Sequence, residues 1–172
     1  MGVKFKKAKG KRFEDTIAKK IAKTLGLDKQ SCHRASTSGT SSWDFGDIYV
    51  KDLPIVVECK FQEEWDLRLF IPKFNKILKN WLEQLDQSAQ KYELEFNATP
   101  IKFLVISKAY FPEIYFVDIE SNNLKFIEKI KHKISINDLD RYAVIGKYCV
   151  FFSEAVFMNV LKETLKEIKN GS

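Results

Sequence analysis

At 172 residues, with 45% hydrophobic and 13% aromatic side chains, the chain is the size of one domain with a substantial core, which excludes a disordered tail. No apolar run approaches the ~20 residues that span a bilayer, and the start Met-Gly-Val-Lys-Phe-Lys-Lys has charge but no following apolar stretch and cleavage site, so an intracellular protein without membrane attachment is expected. The net charge of +6 is end-loaded: residues 1–34 hold eleven Lys or Arg against three acids, a net +8 that leaves −2 for the rest, which points to a polyanionic partner or else to a solvated lysine-rich surface.

Residues 1–9 read as a flexible basic lead-in. Phe13, Ile17, Ile21 and Leu25 recur every four residues and predict an amphipathic helix over 12–25, closed by Gly26, with Glu14 in its first turn. Residues 28–46 are polar and hold Ser36-Thr37-Ser38-Gly39-Thr40-Ser41-Ser42, a loop signal. Cys32, Cys59 and Cys149 are odd in number and show no paired spacing, so reduced thiols are expected and neither a disulfide framework nor a zinc site. Cys32 and His33 are adjacent, and neighbours on a strand face opposite ways, which argues against a shared metal or a nucleophile and its base.

A hairpin is expected over 47–60. Helical spacing returns over 74–92 with Ile77, Leu78, Trp81, Leu82, Leu85 and Ala89. Strands are expected at 101–107 and 114–119, further strands and turns over 124–153 that include 142–145 and 148–152, and a last amphipathic helix near 154–168. This order predicts an α/β fold, a central mixed sheet flanked by helices. It is read as a single domain over 1–172: the lead-in, a core at about 10–107 and an extension of the same domain at about 108–172, in which no motif is legible.

The chemistry concentrates at 43–60, Trp-Asp-Phe-Gly-Asp-Ile-Tyr-Val-Lys-Asp-Leu-Pro-Ile-Val-Val-Glu-Cys-Lys. On a strand Glu58 and Lys60 share one face while Val57 and Cys59 take the other. Asp47 opens the preceding strand, and the short connection through Lys51 to Pro54 brings it beside Glu58. Two carboxylates and an ammonium then share a small volume. Oxygen ligands with open positions suit Mg²⁺, or Mn²⁺, rather than zinc, and serve phosphodiester hydrolysis. The competing reading makes Glu58 and Lys60 the solvated face of an edge strand; Ile55-Val56-Val57 favours a buried strand, where charge needs a reason.

Glu14 on a first helix, Asp47 on a strand, Glu58-Cys59-Lys60 on the next and Gln84 on a following helix resemble the PD-(D/E)xK nuclease superfamily. Within it the chain resembles more closely the archaeal-type Holliday junction resolvases and similar phage endonucleases, through Gly10 and Glu14, Arg34, Ser38-Gly39, Asp47 and Glu58-Cys59-Lys60, over roughly residues 10–107. Gly46 stands where the motif's name has proline. The resemblance implies a restriction-endonuclease-like core, with Asp47, Glu58, the Cys59 carbonyl and Glu14 holding Mg²⁺ directly or through water. It further implies Gln84 as a positioner of water or phosphate, for which a structural hydrogen bond is the alternative. Acids beside Lys60 favour an ammonium that orients the water over a neutral base.

Lys7, Lys9, Lys11, Arg12, Arg34, Ser36 and Ser38 are the candidate nucleic-acid contacts, with a plain linker as the alternative for the serines. Trp43 and Trp65 are read as core or as stacking platforms. The leading expectation is a metal-dependent endonuclease resolving four-way DNA junctions as a two-fold homodimer. The alternatives are a restriction, nicking or exonuclease activity on the same core, and a non-catalytic nucleic-acid-binding module.

Overall fold

Among the described residues, three helices and seven strands follow in the order α1 (Gly2–Leu25), β1 (Cys32–Arg34), β2 (Ile48–Val50), β3 (Ile55–Gln62), α2 (Lys76–Phe96), β4 (Ile101–Lys108), β5 (Ile114–Asp118), β6 (Tyr142–Ile145), β7 (Tyr148–Phe151) and α3 (Glu154–Asn170). They come from a computed structural model that describes residues 2–35, 45–62, 76–108, 111–118, 142–145 and 147–170. Five strands form one mixed sheet in the order β3-β4-β5-β7-β6, while β1 and β2 form a separate antiparallel pair. Among the described strands only β3 and β4 run parallel, from Ile55 opposite Ile101 to Gln62 opposite Lys108, and α2 lies in the crossover between them.

Side-chain alternation on the sheet builds two cores. Ile55, Val57 and Cys59, with Phe103, Val105, Tyr115 and Val117, face α1 and α3, where they meet Ile17, Ile21, Phe157 and Leu161. Val56, Leu104, Ile106 and Phe116 face the other way, onto Leu78, Trp81 and Leu85 of α2. The result is a three-layer α/β/α arrangement. Because both sheet faces are covered, β3 through β5 read as continuous apolar runs rather than alternating ones. Each large side chain buried here contributes about 1.5–3 kcal/mol; the fully buried Phe103, Tyr115, Phe116 and Phe157 are among the largest.

Two ionic clusters tie the layers together. Lys20 of α1 bonds Glu113 just before β5 and Glu154 in the first turn of α3, both at 2.7 Å. On the α2 side Lys102 and Lys147 each pair with both Asp86 of α2 and Asp118 of β5. Asp118 is buried, at 5% exposure, and the two ammonium groups beside it offset the cost of burying a carboxylate.

Three expectations change. The predicted lead-in is helical, for α1 runs back to Gly2 instead of starting at Arg12. Residues 2–11 contain no proline and hold Lys4, Lys6, Lys7, Ala8, Lys9 and Lys11, good helix formers, while Gly10 weakens the helix without breaking it. The polar segment 28–46 contains strand β1, whose Cys32 turns inward and donates to the Ala18 carbonyl at 3.3 Å. The 47–60 segment does double back, but not as a paired hairpin: β2 pairs with β1, and β3 with β4. The strands and turns expected over 124–141 lie outside the described residues; the other predicted strands and helices lie within a few residues of their observed bounds.

Candidate active site

β3 is an edge strand of the main sheet, and Asp47 occupies its outer edge. The Asp47 N–H donates to the Val57 carbonyl at 2.7 Å, and its Oδ2 accepts the Cys59 N–H at 2.7 Å. Its own carbonyl accepts the Ala35 N–H at the end of β1 at 2.8 Å. Side chain and backbone of one residue thus satisfy groups that an edge strand leaves open. Gly46 makes the approach possible: its φ is +103°, and a Cβ there would lie 2.6 Å from the Val57 carbonyl oxygen. No side chain fits at that position, proline included.

Glu58 follows one residue after Val57 and turns to the α2 side, buried at 7% exposure. Its Oε1 accepts the Ser88 hydroxyl at 2.9 Å and its Oε2 accepts the Lys60 ammonium at 3.1 Å. Glu58 and Lys60 therefore share a face, as the strand period requires, while Cys59 is buried on the opposite one. Desolvation, then the negative charge of Glu58, push the Asp47 carboxyl from 3.8 up to about 7, against the opposing pull of the Cys59 N–H and Lys60. Glu14 on α1 is close enough to add to that repulsion. Its own carboxyl is raised by burial, with Arg34 acting against the rise.

Arg34 on β1 lies against α1, its Nε 3.5 Å from Asp15 and 3.9 Å from Glu14. These distances are too long for hydrogen bonds, and the buried Nε has no hydrogen-bond partner among the described residues. Lys9, Lys11 and Arg12 are exposed on α1, and Lys7 belongs to the same helix. Ser36, Ser38, Trp43 and Trp65 lie outside the described residues.

The structure brings Asp47, Glu58 and Lys60 together and sets Glu14 and Arg34 beside them. Gln84 is exposed on α2, and the residue of that helix that bonds Glu58 is Ser88, one turn further on. Ser88 was overlooked in sequence, although a signal existed: it follows Gln84 by four residues and so shares its face, and it interrupts the apolar stripe between Leu85 and Ala89. Among the described residues no three His, Cys, Asp or Glu side chains gather into a ready metal cluster. Both Glu58 oxygens and Oδ2 of Asp47 are instead engaged by donors of the chain itself.

A covered mixed sheet with an aspartate bonded along the edge of a strand that carries Glu-x-Lys has the form of a PD-(D/E)xK nuclease. Residues 5–167 match the family described as phage putative PDDEXK endonuclease, and the chain belongs to that family. Among solved structures it is similar to Hjc, a Holliday junction resolvase of the hyperthermophilic archaeon Archaeoglobus fulgidus, with 15% identity and a TM-score of 0.40 over 89% of this chain and 98% of that one. That likeness is too distant to argue from. No curated protein matches the sequence.

Proposed function

We propose that the chain is a divalent-metal-dependent DNA endonuclease that cuts branched DNA, four-way junctions above all, as a two-fold homodimer inside the cell. The observation that carries the reading is the close pair Asp47 and Glu58 at the edge of β3: desolvation first, and then the negative charge of Glu58, lift the Asp47 carboxyl to about 7. A close acid pair of this kind suits a cation. The donors are carboxylates with the Cys59 carbonyl and Glu14 nearby in sequence or space, which fits Mg²⁺ or Mn²⁺ and not zinc. The bound cation would supply Lewis-acid stabilisation of charge on the scissile phosphate.

The chain's own groups then have separable roles. Asp47 and Glu58 hold the cation, and Ser88 keeps the Glu58 carboxylate oriented through the 2.9 Å bond. Lys60, bonded to Glu58, presents its ammonium to the attacking water and the phosphate. Gln84, one turn from Ser88 on the same face, is placed to contact a phosphate or water once DNA is bound. Arg34, Ser36 and Ser38 serve as contacts to the DNA backbone, and the basic turns of α1 with Lys7, Lys9, Lys11 and Arg12 supply attraction independent of sequence.

The test is incubation with Mg²⁺ and a labelled four-way junction beside duplex, flap and single-stranded controls, with Asp47→Ala in parallel. Paired incision of the junction by the wild type alone is expected. Equal cutting of all substrates would retire junction selectivity and leave the nuclease standing. No cutting in Mg²⁺ or Mn²⁺ would refute the catalytic reading.

A further inference from the structure

The C-terminal turns of α2 and the turn after β2 enclose a cavity of about 400 Å³ lined by Phe45, Tyr49, Asp52, Tyr92, Glu95 and Phe96, a volume within the usual range for small-ligand sites. Three of the rings form one cluster, with Phe45 against Tyr92 at 5.7 Å, Phe45 against Phe96 at 5.4 Å and Tyr92 against Phe96 at 4.6 Å. Phe96 leaves half its surface, 49%, open. The only charges in the lining belong to Asp52 and Glu95, both exposed, and neither makes an ion pair with a described residue. The cavity is thus an aromatic chamber with two uncompensated carboxylates, on a protein whose overall charge is +6.

That combination selects its occupant. The two acids repel phosphate, so the DNA backbone is excluded, and a purely apolar ligand leaves both carboxylates without a role. The negative faces of the rings and the carboxylates both attract a cation. A flat, weakly hydrated guanidinium suits the chamber better than an ammonium, because it stacks on rings and pairs with carboxylates through a planar fork. We propose that this cavity is a docking site for an arginine side chain presented by a partner polypeptide. Its walls belong to elements that also carry the acidic centre: Phe45 precedes Asp47 by two residues, and Tyr92 follows Ser88 by four on α2. A docked partner would therefore sit next to the nuclease site without using it.

The experiment titrates ¹⁵N-labelled full-length protein, in EDTA, with acetyl-Gly-Arg-Gly-amide and with its citrulline and norleucine analogues. Citrulline keeps the shape of arginine and removes the charge. The arginine peptide should give saturable shifts at the amides of Leu53 and Asn97, with the citrulline peptide weaker by at least about tenfold. Asp52→Asn combined with Glu95→Gln should abolish the preference; asparagine tolerates the positive φ of 56° at position 52. Phe96→Ala should weaken binding of the arginine peptide while leaving the fold intact, since that ring is half exposed. Equal binding of the norleucine peptide, or no saturable shift at these amides, would overturn the proposal. So would displacement of the arginine peptide by a short single-stranded oligonucleotide, which would make the chamber a base pocket. Self-association lost in the double carboxylate variant would likewise overturn it, since the occupant would then be a second copy of this chain.

Discussion

Replacing Asp47 by Asn removes a charge while keeping the shape that seals the edge of β3. The amide oxygen of the variant can still accept the Cys59 N–H that Oδ2 accepts at 2.7 Å. In the wild type, burial and Glu58 raise this carboxyl from 3.8 to about 7, whereas the unfolded chain titrates near the ordinary value. Between those limits the native state keeps a proton that the unfolded chain has released, so the stabilisation present below 3.8 is lost as pH climbs to about 7. At ~1.36 kcal/mol per unit, the wild type forfeits roughly 1.5 kcal/mol by pH 5 and roughly 4 kcal/mol by pH 8. The variant forfeits nothing at this position. Its advantage in EDTA should therefore grow by roughly 2–3 kcal/mol from pH 5 to pH 8, about 5–10 °C in melting temperature for a chain of this size. Urea titrations and thermal melts at the two pH values measure it directly. Excess Mg²⁺ should narrow or reverse the gap, since a ligand that binds only the native state stabilises it and the wild type alone keeps both carboxylates. Identical pH dependence of the two proteins in EDTA would refute the reasoning.

Ser88→Ala should weaken Mn²⁺ binding to the DNA-free protein by roughly tenfold or more, with Ser88→Thr restoring part of it; calorimetry showing unchanged affinity would make the hydroxyl merely structural. Lys60→Ala should slow single-turnover cleavage by roughly 10²–10³ while junction affinity in Ca²⁺ stays near wild type. The opposite pattern, an unchanged rate with weaker binding, would move Lys60 out of the site. Gly46→Ala must place a Cβ 2.6 Å from the Val57 oxygen at a φ of +103° and should cost about 1–3 kcal/mol in denaturant titration; wild-type stability would show that the turn relaxes freely. Neutralising Lys6, Lys7, Lys9 and Lys11 together should flatten the plot of log K against log salt by up to roughly 3–4 in slope, and an unaltered slope would take this end of α1 off the DNA.

What could be read from the sequence was whatever local periodicity determines. Ile55-Val56-Val57 identified a strand buried on both faces, and its alternation put Glu58 and Lys60 together and Cys59 opposite, as observed. The spacing of Leu78, Trp81 and Leu85 located α2 and its buried stripe in the same way. Strand β1 was missed because three residues carry no period, and its existence depends on pairing with β2 sixteen positions away, from Arg34 opposite Ile48 to Cys32 opposite Val50. Asp47 was placed beside Glu58 for a partly mistaken reason. It reaches β3 as a single residue bonded through side chain and backbone, and not as part of a hairpin ladder.

The choice between Gln84 and Ser88 marks the limit of such reading most clearly. Both lie on one face of α2, so helical periodicity alone admits either as the neighbour of Glu58. The axial position of α2 on the sheet decides between them, and long-range contacts set it. Leu78, Trp81 and Leu85 press the helix onto Val56, Leu104 and Phe116, but apolar packing tolerates sliding and repacking more readily than directional bonds do. Asp86 supplies the directional part: it pairs with Lys102 of β4 and Lys147 before β7, the same two lysines that neutralise buried Asp118. A shift of α2 by one turn, about 5.4 Å, would break both Asp86 pairs and leave the balance of that cluster at two ammonium groups against one carboxylate. Since Asp86 precedes Ser88 by only two residues, the ionic cluster that anchors the helix also selects which of its polar residues meets Glu58. The four cluster members, Asp86, Lys102, Asp118 and Lys147, are far apart in sequence and carry no motif, which is why the identity of Glu58's partner emerged only from the folded chain.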